Sequence, residues 1–174
     1  NKYISLLILC FWSIFTTAQY KDKIKLNEGV KAYENGDYKI AQEHFENSFA
    51  ENPSYGIAIY NAGNAAYLDG DFETAREDYN KYINTIESRT ERAEALHNIG
   101  NSYLKNYKDK QDEKSLLESI NYYKNSLREN PSDQETRYNL AYALNQLQQQ
   151  QKEENKEEKE DKDKKKEKEE KEER

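Results

Sequence analysis

The chain has 174 residues, of which 34% are hydrophobic and 35% are charged, and its formal net charge is −7. This length suits one domain and excludes an enzyme built from two full domains. With one cysteine and two histidines, neither a zinc cluster nor a disulfide framework is predicted, and no cofactor is implied. Because the 34 acidic residues outnumber the 27 basic ones, nucleic acid is not a predicted partner.

Residues 1–18 have the pattern of an export signal. Lys2 precedes an apolar run over residues 4–15, which is too short to cross a bilayer comfortably. Thr16 and Ala18 place small side chains at −3 and −1, which predicts cleavage after Ala18 and a periplasmic or envelope location. A lipid anchor on Cys10 and an uncleaved leader are the alternatives, and both imply association with a membrane surface.

Residues 19–151 form the predicted domain, and they contain an internal repeat. A shift of 34 superimposes seven positions, a shift of 37 carries residues 61–64 onto 98–101, and a shift of 78 carries residues 51–54 onto 129–132. Such periods indicate stacked supersecondary units. The repeats are placed at about 22–55, 56–89 and 93–133, with a closing helix over 134–151. The seven pairs at a shift of 34 are Gly29/Gly63, Tyr33/Tyr67, Gly36/Gly70, Asp37/Asp71, Tyr38/Phe72, Ala41/Ala75 and Phe45/Tyr79.

Within each unit, apolar and small residues recur three and four apart, which predicts two helices. The dipeptides Gly36-Asp37 and Gly70-Asp71 suit a left-handed helix end followed by a helix N-cap. The second helix of repeat two is expected to run on toward Thr90. In repeat three, the polar stretch 106–113 is expected to form a longer loop between the helices. The closing helix is expected to turn four side chains inward, namely Tyr138, Leu140, Ala141 and Leu144.

The tail, residues 152–174, is charged at every position except Asn155. With no apolar residue, it cannot contribute to a core. Some acid–base pairs four residues apart favour a helix, such as Glu158 with Lys162, while others clash. The sequence therefore predicts a charged low-complexity tail that is either disordered or a frayed helix.

These motifs resemble the tetratricopeptide repeat (TPR). The resemblance implies an all-α, helix-turn-helix solenoid of about three repeats with a C-terminal capping helix, whose first helices line a concave groove that binds a protein or an extended peptide. In the TPR subgroup that grips a C-terminal carboxylate, Asn64 and Asn98 match the amide positions, while Tyr60 or Leu26 stands at the lysine position. The groove positions implied by the resemblance are Leu26, Val30, Tyr33, Tyr60, Asn64, Tyr67, His97, Asn98, Asn101, Leu104, Tyr138 and Tyr142.

Catalysis is not predicted, since neither His44 nor His97 is accompanied by a carboxylate pair, a phosphate loop or a nucleophile. The chain has a leader that ends in Thr17-Ala18-Gln19, an opening Asn27-Glu28-Gly29, a closing Arg137-Tyr138-Asn139-Leu140-Ala141 and a tail rich first in glutamine and then in lysine and glutamate. This layout resembles the exported TPR proteins of bacterial aerotolerance (Bat) operons, of the BatC type. That resemblance implies an envelope scaffold with von Willebrand A-type partners. An envelope or outer-membrane assembly factor that binds peptides is the alternative, and a regulatory subunit of an enzyme is a third hypothesis.

Overall fold

The computed structural model describes residues 20–172, and the predicted leader therefore lies outside the described residues. Within them the chain is an all-α stack of helices, as the sequence predicts. The helices are α1 (residues 20–34), α2 (Tyr38–Glu51), α3 (Gly56–Asp69), α4 (Phe72–Ile83), α5 (Arg89–Lys110), α6 (Glu113–Glu129) and α7 (Gln134–Glu172). Helices α1/α2, α3/α4 and α5/α6 form three successive pairs, and α7 closes the stack.

The turns inside the first two pairs use glycine in the predicted way. Gly36 has φ +83° and Gly70 has φ +85°, a left-handed conformation in which a side chain would be strained. Asp71 then caps α4, because its carboxylate accepts from the backbone N–H of Thr74 at 3.1 Å. Asp37 differs, since its side chain makes no capping hydrogen bond at the start of α2.

The second helix of repeat two is shorter than predicted. Helix α4 ends at Ile83 rather than near Thr90, and Ser88 starts the next helix by accepting from the N–H of Glu91. The Thr85 hydroxyl donates to the carbonyl of Tyr82 at 2.8 Å and so satisfies an acceptor in the last turn of α4. Local side-chain bonds to the backbone compete here with continued helix.

The longer loop predicted in repeat three is also wrong. Helix α5 continues through the polar stretch to Lys110, and only residues 111 and 112 separate it from α6. The extra length is held by packing, because Tyr107 is buried and the Asn106 side chain donates to the hydroxyl of Ser115 at 2.6 Å. The inserted residues therefore lengthen the helical pair instead of its connection.

One contact is repeated in all three pairs, in which an aromatic ring of the second helix lies against a glycine of the first. A Cβ placed on Gly29 would lie 2.6 Å from the ring of Phe45, and a Cβ on Gly63 would lie 2.9 Å from the ring of Tyr79. The third pair repeats this, since a Cβ on Gly100 would lie 2.7 Å from the ring of Tyr123. These rings are almost fully buried, so the close packing of each pair requires that the glycine has no side chain.

The closing helix packs on the stack with a face that only partly matches the prediction. Leu140 is half-buried against the core as predicted, but Tyr138, Ala141 and Leu144 are exposed, and Thr136 and Ala143 are fully buried instead. The predicted face is equivalent to the face of α3 that packs against α4. Among the described residues no helix follows α7 to cover that face. Helix α7 also runs past residue 151 to Glu172, so the described part of the tail is helical.

Gly63 offers a direct test of the ring contact. Gly63→Leu should push Tyr79 away and lower the free energy of unfolding by about 1–3 kcal/mol, or more where the backbone cannot move. Thermal unfolding followed by circular dichroism measures this change. Deletion of residues 152–174 is the control and should leave the melting temperature almost unchanged. Equal losses in the two variants would show that the tail is part of the folded unit.

Asp78 is the least expected residue of the interior. It is fully buried on α4, with one carboxylate oxygen 2.8 Å from the Lys81 ammonium and the other without a hydrogen-bond partner among the described residues. Burial raises the pKa of Asp78 from 3.8 to about 6, against the opposing effect of Lys81, and Glu46 and Glu77 raise it further.

We expect the Asp78 contribution to stability to be full below pH 4 and to be lost as the pH rises through about 6. The folded state holds the proton more tightly than the unfolded state, so ionisation of Asp78 disfavours folding by up to about 3 kcal/mol, less whatever water screens. The measurement is urea unfolding at pH 4.5 and 7.5 for the wild type and for Asp78→Asn. The variant should lack this part of the pH dependence, and parallel curves would contradict the assignment.

Candidate peptide-binding groove

The first helices of the pairs and α7 line one concave side of the stack. Three cavities follow one another along it and share side chains, so they form one continuous groove. The first and second share Tyr33 and Asn64, and the second and third share Tyr67 and Asn101. Their volumes are about 320, 130 and 240 Å³. A fourth cavity, of about 480 Å³, opens beside Asn98 and Asn101.

The structure brings together nine of the twelve side chains that the sequence places in the groove, namely Val30, Tyr33, Tyr60, Asn64, Tyr67, His97, Asn98, Asn101 and Leu104. The other three line none of these cavities. Leu26 packs against the core of the first two pairs, Tyr138 is 71% exposed on α7, and the Tyr142 ring lies under Lys108.

Two groove amides are tied to the buried rings of the second helices. The Tyr79 hydroxyl donates to Asn64 Oδ1 at 2.8 Å, and the Tyr123 hydroxyl donates to Asn101 Oδ1 at 2.7 Å. Asn101 Oδ1 also accepts from the amide of Asn139 at 3.1 Å. The oxygens of both amides are therefore used inside the protein, and their N–H groups are left to meet a ligand.

A third amide has the opposite orientation. Asn98 donates from Nδ2 to the Tyr60 hydroxyl at 3.0 Å, which leaves its carbonyl oxygen as an acceptor. The Tyr60 ring packs against Tyr79 and Tyr82, with ring centroids 5.7 and 4.9 Å apart. The Tyr60 ring therefore packs in the core while its hydroxyl lies in the groove. Together, the three amides provide the groove with both hydrogen-bond donors and acceptors.

His97 lies deeper than a contact residue on an open surface. Its side chain is almost fully buried, and Nδ1 lies 2.6 Å from the hydroxyl of Thr136. That hydroxyl donates its proton to Asp133, so His97 must donate from Nδ1. Burial works to raise the pKa of Asp133, but hydrogen bonds from Thr136 and the charge of His97 hold it below its ordinary value. The main contact of His97 is thus with the first turn of α7.

Charged side chains of opposite sign line the two cavities beside α5. Lys105 and Lys108 line the cavity near the C-terminal end of this helix, and Glu94 and Glu135 line the cavity near its N-terminal end. Sequence reasoning missed these residues and Asn139, which also lines the groove. The lysines follow Asn101 at intervals of four and seven, so helical periodicity from a predicted groove residue could have found them.

Residues 20–172 contain no cluster of three or more His, Cys, Asp or Glu side chains arranged to hold a metal ion. None of the described helices combines the length and the apolar character required to span a bilayer.

Comparison with known proteins identifies the same type of fold. Residues 26–95 match the family model described as "Tetratricopeptide repeat", and none of the curated proteins matches the chain. The first TPR of Spaghetti (RPAP3), solved with the HSP90 peptide SRMEEVD, is 20% identical with a TM-score of 0.60, and the match covers 73% of this chain and 93% of that one.

Two further solved structures give a similar result. The TPR2AB domain of yeast Sti1, solved as a complex with pHSP90, is 22% identical with a TM-score of 0.62, over 75% of this chain and 48% of that one. The MamA protein is 16% identical with a TM-score of 0.61, over 74% and 65%. At these identities the likeness shows the fold, which is an all-α TPR stack.

Proposed function

We propose that this chain is an exported, non-catalytic scaffold that holds an extended segment of a partner protein in its groove. The TPR fold acts as a scaffold for protein interaction, and solved relatives of this fold carry peptides. The observation that carries the proposal is the row of amides and tyrosines along the first helices. Asn64 and Asn101 offer N–H donors, and Asn98 offers an acceptor.

This chemistry suits a main chain better than it suits an isolated charge. Extended backbone presents alternating N–H and C=O groups, which pair with amide side chains. Tyrosine adds contact area at a low cost in conformational entropy. A partner gripped by its C-terminal carboxylate is not favoured, because Tyr60 stands at the lysine position of that subgroup and its hydroxyl already binds Asn98.

The finer proposal is a scaffold of the aerotolerance type, which contacts von Willebrand A-type proteins in the bacterial envelope. It rests on the resemblance of the leader, the opening Asn27-Glu28-Gly29 and the charged tail to that layout. A factor for envelope or outer-membrane assembly would use the same groove. Crosslinking in the envelope fraction, followed by identification of the captured protein, separates these two alternatives.

Asn64→Ala should weaken binding of the captured partner without unfolding the protein. Loss of one hydrogen bond to a buried peptide group should reduce affinity roughly 5- to 150-fold. The measurement is a titration of the partner against wild type, Asn64→Ala and the control Glu43→Ala, whose side chain is exposed on α2. We expect Glu43→Ala to be neutral, and the opposite result would place the partner on the convex face. Affinity should change little between low and moderate salt, because charge steering is not the main force.

Export has its own test. Intact-mass and N-terminal analysis of the protein from envelope fractions should show a chain that begins at Gln19, with the glutamine free or cyclised. The reason is the run of small residues that ends at Ala18 behind the apolar stretch. A chain that retains Lys2, or one that carries acyl groups on Cys10, would contradict cleavage.

A further inference from the structure

We infer that Tyr79 and Tyr123 are positioning residues of the groove, which hold the amides of Asn64 and Asn101 with their N–H groups turned toward the ligand. The inference deepens the proposed function and rests on it for the identity of the ligand. The pairing of hydroxyl and amide can also be tested without any ligand.

The two hydroxyls are held in place because their rings are enclosed by the packing of the helical pair. Tyr79 and Tyr123 are 2% and 0% exposed, and each ring is wedged against a glycine, Gly63 or Gly100. Burial raises the pKa of both hydroxyls well above the usual range, so each keeps its proton and acts as a donor. A protonated buried hydroxyl needs an acceptor, and in each case the nearest one is the groove amide oxygen.

The first pair of helices is an internal control provided by the chain itself. Asn64 and Tyr79 correspond, at the shift of 34, to Val30 and Phe45. Phe45 lies against Gly29 just as Tyr79 lies against Gly63, but it has no hydroxyl, and no amide stands at position 30. In each pair, the residue after the glycine and the aromatic ring are therefore matched: asparagine occurs with tyrosine, and valine occurs with phenylalanine.

The pairing divides the groove into two kinds of site. Near α1, Val30, Tyr33 and Phe45 form the apolar part of the first cavity, which suits an apolar side chain, and Glu34, Asn61 and Asn64 complete its lining. Further along, Asn64 and Asn101 present donors that suit main-chain carbonyl oxygens. The ligand class that follows is an extended peptide with an apolar residue near one end of the bound segment.

The first experiment uses binding. The probe is a decapeptide selected from a random display library against the mature full-length chain, and its affinity is measured for the wild type, Tyr79→Phe, Asn64→Ala and the double variant. Tyr79→Phe keeps the ring and should weaken binding roughly 2- to 10-fold. In the Asn64→Ala background the same change should have almost no further effect, because no amide remains to be positioned.

Asn64→Asp tests the amide N–H separately from the amide oxygen. The aspartate still accepts from Tyr79 but has no N–H to offer, so binding should fall roughly 5- to 150-fold while the fold is retained. Asn80→Asp on the exposed side of α4 introduces the same charge and should leave the affinity within about twofold of the wild-type value. Equal affinities of wild type and Asn64→Asp would overturn the inference while leaving the groove function intact.

The second experiment needs no ligand. Phe45→Tyr introduces a hydroxyl on a buried ring that has no amide at the position equivalent to Asn64, and it should lower the melting temperature. Addition of Val30→Asn to that variant should restore most of the loss, although Val30→Asn alone should not stabilise the wild type. If the second change gives no rescue, the pairing is overturned. If rescue is seen but no selected peptide binds, the groove function and the ligand class fail, while the pairing stands.

Discussion

Each helical pair depends on the contact between a glycine of its first helix and an aromatic ring of its second. The missing Cβ lets the ring lie within 3 Å of the position where a side chain would begin, so the two helices approach closely and a large residue is buried between them. Burial of such a ring contributes about 1.5–3 kcal/mol relative to exposure. The three contacts differ in one atom, the hydroxyl present on Tyr79 and Tyr123 and absent from Phe45.

The tyrosine hydroxyl connects the buried interior with the side chains that line the groove. The residue after each glycine points toward the concave side, since it follows the ring contact by one position on the same helix. In the second and third pairs this residue is an asparagine whose oxygen satisfies the buried hydroxyl. In the first pair it is Val30, and the ring at that contact, Phe45, has no hydroxyl that requires an acceptor.

Periodicity predicted the stack, because the offsets of 34 and 37 reflect the spacing of these packing positions. It also predicted that equivalent positions on stacked first helices line one side, and nine of the twelve lie along one row of cavities, although their role in binding stays a prediction. It failed where local contacts decide the outcome. Whether residues 106–110 extend a helix or form a loop depends on the partners of Asn106 and Tyr107, and those lie on another helix.

The face that α7 buries is a related case. Position 141 corresponds to Gly63 at the shift of 78, so the pattern favoured an inward Ala141, but no ring from a following helix covers it among the described residues. His97 shows the same limit from the other direction. Its position on α5 matches that of Tyr60 on α3, yet Thr136 in the first turn of α7 contacts His97 and encloses it.

The groove therefore has positions of two kinds, and they should evolve under different constraints. Asn64 and Asn101 satisfy the buried hydroxyls and, under the proposed function, also contact the ligand, so a replacement that cannot accept a hydrogen bond leaves a buried hydroxyl unsatisfied. Lys105 and Lys108 are exposed, and their charges can change with little effect on the stack. Under the proposed function, main-chain recognition would be coupled to folding, whereas the charges of the cavities beside α5 would be free to set the preference for a particular partner.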